Sequence, residues 1–184
     1  MAFLEKFSDD EKELIVSLPY RAGLWVSQVD STGDAEGADD KEAQTLEQII
    51  REQSKGMFNS AFVHEVMVET FTRKQDWPKW QGQTDNIPAL CKDAVKLIES
   101  KLDDGSAVAY RESVMAIAVN VAEAFREFDA DMPVFARMMS QVGLLAEAAG
   151  RILTRKKSFK TETYFNISYE EDKALSQLYS AMQK

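Results

Sequence analysis

The stretch VDSTGDAEGADDKEAQ, residues 29–44, carries Asp30, Asp34, Glu36, Asp39, Asp40 and Glu42. Carboxylates at this density on a connecting segment are the ligands that hard divalent cations require. Calcium and magnesium take several oxygens converging from a flexible loop. The stretch does not fit an EF-hand. Counted from Asp30, the sixth position is Ala35 instead of the glycine of the sharp turn, and the twelfth is Lys41 instead of the bidentate Glu. Starting at Ser31 brings Glu42 to the twelfth position but leaves Glu36 where the glycine belongs. The alternative is a solvated acidic loop in which Asp39 and Glu42 serve the start of a helix, whose positive end favours acids without any metal.

Other chemistry has fewer residues to draw on. His64 is the single histidine, and HEVMV lacks the second His of a metalloprotease helix. A dimetal carboxylate bundle, which wants two Glu-x-x-His motifs, is excluded for the same reason. His64 beside Glu65 is a candidate catalytic pair, with a helix-surface or half-buried histidine as the simpler reading. Cys91 is the single cysteine, so an intrachain disulfide cannot form, and ALCKDAV puts it where a helix would bury it. Neither GSAVAYRES nor STGDAEGAD ends in the Lys-Ser/Thr of a phosphate-binding loop.

These residues must be held by helices. Apolar periodicity near 3.6 dominates, and turn signals are too sparse for an all-β fold. SDDE (8–11), DDKE (39–42) and SYEE (168–171) each set a capping side chain three residues before Glu, the reciprocal capping-box spacing. The pattern predicts a helix after Ser8 with Leu14, Leu18, Ala22, Trp25 and Val29 on one stripe and a bend at Pro19. A second helix follows Asp39 and buries Leu46, Ile49 and Ile50. A third covers 57–72 with Phe58, Phe62, Val66 and Phe71. The Trp77–Pro78–Trp80 region is irregular or a short helix. ALCKDAVKLIESKL is a helix ended by DDGS, and Ser106–Phe128 is a long apolar core helix. Another helix spans Pro133–Leu153 with Asp131 as its cap, and a last one starts after Ser168. The expectation is an all-α, single-domain bundle of about seven helices over residues 1–184.

The two halves echo each other. AGLWVSQVD (22–30) matches MAIAVNVAE (115–123) in apolar phase, each ending in an acid. ADDKEAQTLEQI (38–49) matches ISYEEDKALSQL (167–178), which pairs Glu42 with Glu171 and Leu46 with Leu175. VSQVDSTG followed by DDKEAQTLEQII, with its echo in MAIAVNVAE and NISYEEDKALSQL, resembles the TerB-like tellurite-resistance family. The resemblance covers two segments of about 30 residues each. It implies an all-α fold of about seven helices in two pseudo-repeated halves, with an acidic cluster able to bind metal. It also implies a role in bacterial tellurite and chemical stress as a binding or scaffold component. By motif, Asp30 and Glu42 carry over from the first half, and Glu123 and Glu171 from the second. In this chain Ser31 and Thr32 separate Asp30 from Gly33, and the connection is longer than the family's.

Composition narrows the partners. The chain has 184 residues and a net charge of −9, which argues against a general nucleic-acid binder, since phosphate neutralisation needs clustered Lys and Arg. RILTRKKSFK (151–160) is the one basic stretch, and it reads as a helix end with a loop. Neither a secretory apolar core nor an apolar run long enough for a membrane span is present, so the protein is expected to be cytoplasmic. Two functions follow. The first is a non-enzymatic, TerB-like stress-associated protein that binds a protein partner and a divalent cation of calcium or magnesium type through Asp30, Asp34, Glu42, Glu123 and Glu171. The alternative is a metal-dependent hydrolase working through clustered carboxylates and metal-activated water.

Overall fold

The computed structural model describes residues 2–29, 38–55, 60–126 and 169–183. Among them are a 3-10 turn at Phe3–Lys6, seven α-helices and no strand, as the periodicity predicts. The helices are α1 (Asp9–Val29), α2 (Ala38–Ser54), α3 (Ala61–Thr72), α4 (Trp77–Gln81), α5 (Ile87–Lys101), α6 (Asp104–Arg126) and α7 (Tyr169–Met182).

The first predicted capping box forms. The Ser8 N–H donates to Glu11 Oε2 at 2.7 Å, and the Glu11 N–H donates to Ser8 Oγ at 3.4 Å. Ser60 caps α3 by accepting from the Val63 N–H at 3.3 Å. DDGS ends α5, which stops at Lys101, as expected, and it also opens the next helix. Asp103 takes the Ser106 N–H at 2.7 Å and starts α6 directly. Asp39 lies inside α2, which already begins at Ala38, so it is a first-turn acid and not the cap. The third helix starts at Ala61; Phe58 lies outside the described residues, as do Asp131, the Pro133–Leu153 segment and Ser168. The tryptophan segment is the short helix α4, with Trp77 and Trp80 buried and both Tyr20 contacts aromatic.

Helix α1 buries far more than one stripe. Every residue from Ile15 to Leu24 is buried, because α2, α3, α4, α5, α6 and α7 all pack on it. Leu18 and Ala22 are in the core as expected, while Leu14, Trp25 and Val29 sit half-buried at its edge. Helix α6 runs beside α1 in the same direction, with Tyr110 bonded to Ile15 and Ile117 and Val121 facing Gly23. Gly23 makes the crossing close. A Cβ there would stand 2.6 Å from Leu46 Cδ1 and 3.1 Å from Ile117 Cγ2.

Pro19 has a defined consequence. It has no N–H for the carbonyl of Ile15, four residues earlier, and that carbonyl lies in the core. The Tyr110 hydroxyl donates to it at 2.8 Å. The next carbonyl, Val16, accepts from Thr70 Oγ1 at 2.7 Å. The proline-weakened turn of α1 is thus completed by side chains from α6 and α3, which satisfies buried backbone that would otherwise be orphaned.

The packing has an internal symmetry. Exchanging α1 with α6, α2 with α7 and α3 with α5 maps every well-packed pair of these six helices onto another. The pair α1–α2 maps onto α6–α7, α2–α3 onto α7–α5, and α1–α3 onto α6–α5. The crossed pairs α2–α6 and α3–α6 map onto α7–α1 and α5–α1. The predicted register of α2 on α7 also holds in burial: Thr45 and Ala174, Leu46 and Leu175, Ile49 and Leu178, and Gln53 and Met182 are buried in both. The register of α1 on α6 agrees in burial only at Leu24 with Ile117 and at Val26 with Val119: Ala22, Gly23 and Ser27 are buried where Met115, Ala116 and Asn120 are half-buried, and Trp25, Gln28 and Val29 are more exposed than Ala118, Val121 and Ala122. The helix equivalent to α3 precedes α6 in the chain, so the second half is cyclically permuted relative to the first.

Candidate functional site

The five acids expected to ligate a cation belong to two helix junctions. Asp30 follows the last residue of α1, and Glu42 lies in the first turns of α2. Glu123 lies three residues before the end of α6, and Glu171 lies in the first turn of α7. The helix exchange pairs α1 and α2 with α6 and α7, although residues 127–168 stand between α6 and α7 where residues 30–37 stand between α1 and α2. Asp30 and Asp34 are outside the described residues, as are the side chains of Glu42 and Glu123. Glu171 is described, and it is 1 % exposed. A carboxylate so buried is not left free within the fold. Among the described residues, no three His, Cys, Asp or Glu side chains converge as metal ligands.

The other candidates resolve more fully. His64 and Glu65 are adjacent on α3, where successive side chains diverge around the helix and do not face each other. His64 is exposed. Both Glu65 oxygens are used: Oε2 accepts the Phe3 N–H at 2.7 Å and Oε1 the Leu4 N–H at 3.1 Å. Glu65 therefore caps the N-terminal 3-10 turn, while Phe3 and Phe7 pack on Phe62. Between this turn, α1 and α3 lies an open groove of about 580 Å³, lined by Phe3, Lys12, His64, Val68 and Glu69 among others. Its charges are of both signs.

Cys91 is fully buried on α5, and burial pushes its thiol up to about 12, partly offset by the nearby Arg21. It is a core residue and no nucleophile at neutral pH. Arg21 crosses the interior from α1. Its Nε donates to the Gln83 carbonyl at 2.7 Å and its Nη1 to Ser17 Oγ at 3.3 Å, which ties the α4–α5 connection to the central helix.

The densest polar cluster was not visible in the sequence. The Glu13 carboxylate on α1 accepts from Arg73, from Lys79 at 3.0 Å and from the Trp80 indole N–H at 2.9 Å. Arg73 also pairs with Asp76 and lies over the Trp80 ring at 5.4 Å. Partial burial alone would raise the carboxyl of Glu13, but the hydrogen bonds from Trp80, Lys79 and Arg73 outweigh it and hold it at about 2. With every oxygen engaged, this cluster clamps α1 to α3 and α4. It does not present a reactive acid. The partners lie 60 to 67 residues from Glu13 in sequence, so no local pattern announces it.

No family model matches the chain, and no curated protein or solved structure is similar to it. No helix among the described residues is long and apolar enough to cross a membrane.

Proposed function

We propose that this protein is a non-enzymatic binding or scaffold component of the TerB-like, bacterial stress-associated kind, which binds a divalent cation through the acids of its two equivalent helix junctions. The observation that carries the reading is the exchange symmetry of the packing. At the level of whole helices it pairs α1 and α2 with α6 and α7, and the sequence match sets Asp30 and Glu42 at the ends of the first pair and Glu123 and Glu171 at the ends of the second. The donor set is all carboxylate, with Asp34 as a further oxygen donor on the first side, and this suits a hard cation of calcium or magnesium type. Such an ion would supply charge neutralisation at each junction.

Three of the described residues with nucleophile or base chemistry are committed to structure, which favours a binding role over a hydrolytic one. Glu65 caps a turn, Cys91 is buried with a raised thiol, and Glu13 is a clamp. A protein partner is part of the proposal, with no nucleic acid among the partners. Thermal melts of the full chain with calcium, magnesium, manganese and zinc, run beside a screen for phosphate- and carboxyl-ester hydrolysis, test the reading. Concentration-dependent stabilisation by one of these ions without turnover is the expected result. Metal-dependent ester turnover would replace this reading with the carboxylate hydrolase, and no stabilisation by any ion would remove the cation from it.

A further inference from the structure

We draw no further inference here: the strongest candidate, the open groove between the N-terminal 3-10 turn, α1 and α3, carries charges of both signs around a small apolar floor, and nothing in the structure shows what covers it.

Discussion

Replacing Tyr110 with phenylalanine removes one hydroxyl and keeps the ring. That hydroxyl is the partner of the Ile15 carbonyl, and the usual partner, the N–H four residues on, is missing because residue 19 is proline. Both groups are buried, with Tyr110 1 % exposed and Ile15 fully covered. Leaving a buried carbonyl without a donor costs about 1–3 kcal/mol. For a chain of this size that corresponds to a fall in melting temperature of roughly 3–9 °C. Pro19→Ala supplies an N–H at the position from which it can reach Ile15, so in that background the tyrosine hydroxyl is no longer the sole donor. Tyr110→Phe should then cost less, with a coupling between the two changes of about 1 kcal/mol or more. Urea denaturation of the parent, both single variants and the double variant, followed by circular dichroism, gives all four free energies. Burial also raises the Tyr110 hydroxyl well above its usual range, so it stays a neutral donor and the loss should be flat from pH 5 to 9. An equal loss in the proline and alanine backgrounds would refute the link between the missing N–H and the tyrosine.

Three further outcomes follow from the packing. Glu13→Gln should destabilise at neutral pH: a shift from 4.5 to about 2 is a ceiling on the order of 3 kcal/mol, and with the side chain 29 % exposed, solvent screening reduces the expected loss to about 1–2 kcal/mol. Because the folded value is depressed, that stability is fully present above about pH 4.5 and is lost as pH falls toward 2, so denaturation curves of parent and variant should converge over this window. Gly23→Ala puts a methyl 2.6 Å from Leu46 Cδ1 at the crossing of α1, α2 and α6; overpacking of about 1–3 kcal/mol should exceed the gain in helix propensity, and an unchanged or raised melting temperature would show that Leu46 can move aside. Cys91 should resist alkylation in the native protein at pH 8 and react at the rate of opening, which labelling with iodoacetamide across a urea series measures.

The helices were legible because local physics makes them. The reciprocal bonds of Ser8 and Glu11 and the apolar spacing of Ile87–Lys101 are set by residues a turn or two apart. The extent of burial on α1 was not legible from its one apolar stripe, since Ser17, Arg21 and Ser27 are polar. They are buried because their polar atoms find partners: a carbonyl one turn back for Ser17 and Ser27, and the Gln83 carbonyl for Arg21. Asp103 was read as part of a turn because one DDGS can close a helix or cap the next, and only the chain's path decides. The α1–α6 and α2–α7 correspondences could be found by laying one half on the other. The α3–α5 correspondence could not, because it breaks the order of the chain. Of the candidate site, the sequence gives the acids and the junctions they occupy, but not that Glu171 is buried. SYEE reads as a capping box, and α1, α5 and α6, on which α7 packs, are distant from it in sequence.

The central claim is that the acids at the helix junctions bind a divalent cation, and a calcium titration of the parent beside Glu42→Gln tests it most directly. Loose all-oxygen sites bind with dissociation constants of roughly 10⁻⁴–10⁻³ M. At a calcium concentration ten times the dissociation constant, binding to the native state adds about 1.4 kcal/mol of stability. The melting temperature of the parent should therefore rise by roughly 3–6 °C at that concentration and continue to rise with the logarithm of the calcium concentration above it. The Glu42→Gln variant should show a weaker rise at the same concentrations, with calorimetry giving a correspondingly larger dissociation constant. Identical calcium responses in the two proteins, or no response in the parent, would contradict the claim and leave Glu42 as a first-turn helix acid alone.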